Sequence, residues 1–136
     1  MTTRKTASGV NVTKLTTIAI VDGIEPALAM WTNVLGFEKT VEVPHGDKLG
    51  FVILVRDGIE LMLQTRASIA GDMPKVAEIG VTHMLYADVA SLDDAIASLG
   101  SAEVVVPRRK TFYGADEIWV RDPSGTIIGF AEQPKA

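Results

Sequence analysis

Residues 81–100, VTHMLYADVASLDDAIASLG, carry the transition that decides the fold. Residues 81–88 form a β-prone run ending at Asp88. Ser91 then stands where a helix N-cap belongs, with Asp94 three residues on in the position of a capping-box partner. Leu92, Ala95, Ile96 and Leu99 recur at i, i+3, i+4 and i+7, the spacing of one helical face. Gly100 ends the run, since glycine takes a left-handed turn cheaply. The segment therefore predicts a strand leading into an amphipathic helix.

Three strands are predicted downstream, near 103–108, 116–121 and 126–132, the last two joined by the turn residues Asp122-Pro123-Ser124-Gly125. Upstream the same order occurs. Residues 15–22, LTTIAIVD, predict a strand, and Pro26 fits the first turn of a helix. Leu28, Trp31, Val34 and Leu35 give that helix an apolar face, which places Trp31 in the core, and Gly36 closes it. Strands follow at 37–43, 49–56 and 59–65, with Asp57-Gly58 as a hairpin turn. Asp22 and Asp88 lie 66 residues apart, and Gly58 and Gly125 lie 67 apart. Near-equal offsets between matching landmarks indicate a duplicated unit. The stretch 66–80 shows no clean period and reads as the connection.

Composition limits the function. Hydrophobic residues make up 47% of the 136 and charged residues 22%, enough to bury a core in one α+β domain. The net charge of −4 argues against a nucleic-acid partner, which selects basic faces. With no cysteine, disulfides, thiolate metal sites and a cysteine nucleophile are excluded. The polar start of the chain offers no signal-peptide core, and no apolar run is of membrane-spanning length, so a cytoplasmic protein with no membrane partner is expected. The sequence holds no phosphate loop, nucleophile elbow or dinucleotide fingerprint.

Alternation along the strands separates two faces. Ile59, Leu61 and Leu63 alternate with Glu60, Met62 and Gln64; Ile118 and Val120 alternate with Glu117, Trp119 and Arg121. The first set of each strand suits packing on a helix. The second suits a cleft that receives a polar or aromatic ligand. Tyr113, in the Phe112-Tyr113-Gly114 loop, stands at the mouth of that second half. Arg108, Arg109 and Lys110 read as a solvated basic edge, and His45, in a Pro-His-Gly-Asp loop, as solvated.

In LTTIAIVDGIEPALAMWTNVLGFE, GIELMLQ, THMLYADVASLDDAIASLG and FYGADEIWVRDPSGTIIGFAEQ, the chain resembles the vicinal oxygen chelate superfamily, which contains glyoxalase I, bleomycin resistance proteins and extradiol dioxygenases. The resemblance spans about residues 15–133. It implies a single domain of two βαβββ modules, about 14–66 and 80–133, each a half-open curved sheet around a cleft, and a homodimer. Metal-dependent members take one ligand from the first and last strand of each module. Those positions fall here on Leu15, Glu60, His83 and Gly129. Glu60 and His83 match the family pattern; Leu15 and Gly129 do not. Two ligands fall short of the three or four that zinc sites use, so no cofactor is expected, with a divalent metal held by Glu60 and His83 as the less favoured alternative. Two readings follow. One is a small-molecule-binding protein akin to bleomycin resistance proteins, with Met62, Gln64, Tyr113, Glu117 and Trp119 as ligand contacts. The other is a metal-dependent or metal-free lyase, isomerase or dioxygenase-type enzyme with Glu60 and His83 as its catalytic residues, an acid–base pair in the metal-free case. The ligand expected in either case is a small organic molecule, aromatic or amphipathic.

Overall fold

The computed structural model describes residues 10–135. They form two compact units, a central one, Thr16–Leu85, and a terminal one made of the described residues up to Leu15 and from Tyr86 on.

The central unit holds most of β1 (Val12–Val21), then α1 (Glu25–Ala29), β2 (Glu38–His45), β3 (Lys48–Arg56) and β4 (Ile59–Thr65). Its strand order is β2-β3-β4-β1, antiparallel except that β1 runs parallel to β4. The Asp57-Gly58 turn forms as expected: both residues have positive φ, 48° and 81°, which matches the twist of the hairpin it joins. Leu61 and Leu63 face the helix side and pack with Ile24, Val52, Leu54, Leu28 and Trp31. Trp31 meets Phe37 edge-on at 5.2 Å, in or beside the core as its helical position required. The first helix departs from the simple expectation. After Ala29 it widens to a π-helical turn, Met30–Val34, closed by Leu35 N–H donating to the Met30 carbonyl at 2.9 Å. The Arg56 guanidinium caps the Leu35 carbonyl at its end.

The stretch 66–80, read as the connection between the repeats, contains two short helices that its lack of a clean period did not predict, α2 (Arg66–Asp72) and α3 (Pro74–Ile79). Thr65 caps the first, its hydroxyl accepting from Ser68 N–H at 3.1 Å. Pro74 starts the second, where a missing N–H costs nothing. Ile69, Met73 and Val76 are all buried, and their i, i+4, i+7 spacing is a helical stripe that Pro74 breaks in two.

The terminal unit carries most of β5 (His83–Val89), then α4 (Leu92–Leu99), β6 (Glu103–Lys110), β7 (Asp116–Arg121) and β8 (Ile127–Glu132), in the order β5-β8-β7-β6. Ser91 caps α4 as read from the sequence, its hydroxyl accepting from Asp94 N–H at 3.2 Å. Leu92 and Ala95 are buried against Val89 and Ile118, with Ile96, Leu99 and Phe130 around them. In the 122–125 turn, Asp122 Oδ1 accepts from Ser124 N–H, the Ser124 hydroxyl and Thr126 N–H at 2.9, 2.6 and 2.9 Å. Those bonds, the Ser124 hydroxyl first, hold the Asp122 carboxyl below the usual carboxylate range. No helix among the described residues is long and apolar enough to cross a membrane.

Candidate functional site

In the terminal unit, β7 places Glu117 and Trp119 on one face. Opposite them across the β7–β8 ladder lie Ala131 and Gly129. Two small residues on β8 leave the volume that a carboxylate and an indole fill. The fit at Gly129 is close: a β-carbon built there would lie 2.7 Å from the Trp119 ring. Trp119 is accordingly only 2% exposed. The alternation with Glu117 and Arg121 had placed Trp119 on a cleft face as a ligand contact; in the structure the ring lies against the Gly129 backbone.

Glu117 is 0% exposed, and a buried carboxylate is tolerable only where donors replace water. Four side chains do so. Oε1 accepts from Trp119 Nε1 at 2.9 Å and from Arg109 Nη2 and Nε at 3.0 and 3.3 Å. Oε2 accepts from the hydroxyls of Tyr86 and Tyr113, each at 3.1 Å. Tyr86 in turn accepts from Gln133 Nε2 at 3.2 Å, and that amide also donates to Asp88 at 2.8 Å. The Tyr86 and Trp119 rings stand 5.8 Å apart. The result is a neutralised, fully donor-saturated carboxylate in a nest of aromatic rings.

Tyr113 differs from the other donors. It is 49% exposed and sits at the tip of the β6–β7 hairpin, beside Phe112, which is 84% exposed and meets it edge-on at 5.0 Å. The turn itself is closed without the Tyr113 side chain. Thr111 N–H donates to the Ala115 carbonyl at 2.8 Å, Ala115 N–H to the Thr111 hydroxyl at 3.0 Å, and Gly114, at φ +88°, to the Thr111 carbonyl at 3.0 Å.

Arg109, Tyr86 and Gln133 are members of this cluster that the sequence did not single out. Arg108-Arg109-Lys110 had read as a solvated edge. Arg109 instead pairs in register with Glu117. Arg108 bridges Asp93 and Asp116, both at 2.7 Å, and its hydrogen bond is the main reason the Asp116 carboxyl lies below its usual range. Tyr86 shares one face of β5 with Asp88, which is the signal that the strand period offered for it. Gln133, beyond the last strand, had none.

The remaining candidates lie in the central unit. Glu60, Met62 and Gln64 share the face of β4 away from its helix-side core. Glu60 is partly buried and accepts from the Thr16 hydroxyl at 3.1 Å. Met62 and Gln64 are buried, and the Gln64 amide donates to the Ser68 hydroxyl of α2 at 3.1 Å. His83 is exposed, its Nδ1 3.0 Å from the Thr82 hydroxyl. His45 is exposed at the end of β2, with its ring near Gly71. Among the described residues no three His, Asp or Glu side chains gather as a metal-holding group. The donor set does not fit the family's metal either. Leu15 supplies no donor, and at Gly129 a ligating side chain has no room while Trp119 occupies the space above it.

The two phenols make the cluster sensitive to alkali. Burial, then the Glu117 charge, pushes Tyr113 up to about 12; Tyr86 is raised further, by burial first and then by Tyr113 and Glu117. A phenol raised above its unfolded value of about 10 stabilises the fold fully below that pH. The contribution is lost as pH rises through the folded value. Unfolding free energy is therefore expected to fall from about pH 10 to beyond 12, and Tyr113→Phe to make that fall shallower. Urea titrations across this range check it; an unchanged slope in the variant would place Tyr113 outside the network.

A family model described as the glyoxalase/bleomycin resistance protein/dioxygenase superfamily matches residues 14–130. Among solved structures, the chain is similar to a glyoxalase/bleomycin resistance protein/dioxygenase superfamily member from Vibrio splendidus 12B01. The identity is 21%, with 88% of this chain and 98% of that one covered and a TM-score of 0.68. A hypothetical protein from Bacillus halodurans C-125 shares 13% identity over 89% and 94% of the two chains, with a TM-score of 0.69. A variant of homoprotocatechuate 2,3-dioxygenase from Brevibacterium fuscum shares 17% identity over 93% of this chain but 34% of its own, with a TM-score of 0.61. At these identities the likeness is one of fold. A search of curated proteins finds no match.

Proposed function

The chain belongs to the glyoxalase/bleomycin resistance protein/dioxygenase superfamily, and from that premise we propose that it binds a small aromatic or amphipathic molecule without a divalent metal. One observation carries the reading: the last-strand position where metal-dependent relatives place a carboxylate is Gly129, and the Trp119 indole fills the space above it. Glu117, the carboxylate that the indole N–H meets, already takes its donors from Arg109, Trp119, Tyr86 and Tyr113. What the terminal unit offers a ligand is therefore organic. It has hydroxyls, a guanidinium, and the exposed ring pair Phe112 and Tyr113.

The test is a titration with 8-anilinonaphthalene-1-sulfonate, an amphipathic aromatic probe, in the presence of EDTA. Saturable binding that quenches Trp119 in a Trp31→Phe chain is expected, alongside far less than one equivalent of divalent metal in the purified protein. Binding abolished by EDTA, stoichiometric metal, or no saturable binding would overturn the reading.

A further inference from the structure

We propose that Glu117 is the recognition group for an aryl hydroxyl, and that the Tyr113 phenol occupies that ligand's place in the free chain. The inference rests on reading the chain as a small-molecule binder and names the class of molecule. It starts from an asymmetry in the Glu117 contacts. Oε1 is held by Trp119 and Arg109, and Oε2 accepts from two phenols. One of these, Tyr86, is buried and braced by Gln133. The other, Tyr113, is half exposed, and the turn that carries it is closed by Thr111, Gly114 and Ala115. Tyr113 can thus swing into solvent by side-chain rotation alone, with no backbone hydrogen bond broken.

What would replace it follows from the chemistry left behind. Oε2 would lack one donor, aligned as a phenol O–H aligned it. The charge of Glu117 is already balanced by Arg109 at 3.0 Å. A neutral hydroxyl therefore suits the vacancy, whereas an ammonium would bring an uncompensated charge into a desolvated site. The ring of the incoming group has the dimensions of the ring it displaces. Phe112, edge-on to Tyr113 at 5.0 Å, shows that an aromatic face is already met there in the geometry such pairs favour.

The probes are p-cresol, which reproduces the tyrosine side chain, and p-xylene, which has its shape without the hydroxyl. Calorimetric titration of the intact chain in EDTA is expected to show p-cresol binding about ten-fold tighter or more, the factor that a hydrogen bond to a charged acceptor supplies. Tyr113→Phe removes the internal competitor's hydroxyl and is expected to tighten p-cresol by about ten-fold. A purely structural Tyr113 would leave that affinity unchanged or weaken it. Equal affinity for the two probes, no binding of either, or no gain in Tyr113→Phe would overturn the proposal. Should that variant fail to fold by circular dichroism, the p-cresol to p-xylene ratio on the intact chain decides. Anilinonaphthalene sulfonate binding that survives while this ratio is one sinks the aryl-hydroxyl assignment alone; loss of both sinks the binding reading beneath it.

Discussion

Trp119→Ala is expected to cost about 3–5 kcal/mol of folding stability, the range for cutting a buried large aromatic to alanine. The ring is 2% exposed, packs on Gly129, leans on Tyr86 and donates to Glu117. Its removal leaves a cavity and takes one donor from a buried carboxylate. The same geometry makes a second expectation for Gly129→Ala. Its new methyl would lie 2.7 Å from the indole, so the ring must shift, at about 1–3 kcal/mol for overpacking. With Trp119 already cut back, the methyl enters vacated space and the cost should vanish or change sign. The double variant should therefore be more stable than the sum of the singles requires, since residues sharing one volume do not act additively. Urea denaturation followed by circular dichroism of the four chains measures this coupling. A cost below about 1 kcal/mol for Trp119→Ala would mean that the ring is not a packing element, and additivity would mean that Gly129 does not seat it.

The regular elements were legible because each is written in local chemistry. Ser91 and Gly100 bound α4 as the residues at those positions demand, and Asp57-Gly58 makes its hairpin turn. Where local signals conflicted, the reading failed. Ile69, Met73 and Val76 trace a helical stripe, but Pro74 interrupts it and hides two helices in an apparent connection. The site was half legible for a related reason. Period-2 alternation put Glu117 and Trp119 on one face correctly, but alternation says nothing of what covers that face. The polar residues there read as the lining of a ligand cleft, whereas the indole is 2% exposed and lies against a glycine on the neighbouring strand. Arg109 was missed because its role depends on strand register. Between Val104 and Arg109 the β6–β7 pairing shifts twice, so no count along the sequence brings Arg109 opposite Glu117. Local pattern fixes which way a side chain points from its strand; only the ladder fixes whom it meets.

Glu117→Leu is the second large effect, expected at about 3–5 kcal/mol, as for breaking a buried ion pair by removing one member. The leucine fills the volume but accepts nothing. The Tyr86 hydroxyl and the Trp119 N–H, both buried, would lose their acceptor, and unmet buried donors cost about 1–3 kcal/mol each. Arg109→Met should cost less, about 1–3 kcal/mol. The guanidinium is a quarter exposed, and Glu117 would retain Trp119, Tyr86 and Tyr113 as donors. The pair replaced together should cost less than the sum, because Glu117→Leu alone strands the guanidinium and Arg109→Met alone leaves an unbalanced carboxylate. Denaturation of the three variants, with Trp119 emission followed in the Trp31→Phe background, tests the network directly. A loss below about 1 kcal/mol for Glu117→Leu, with unaltered Trp119 emission, would show that the carboxylate neither organises the aromatic nest nor could present Oε2 to a ligand.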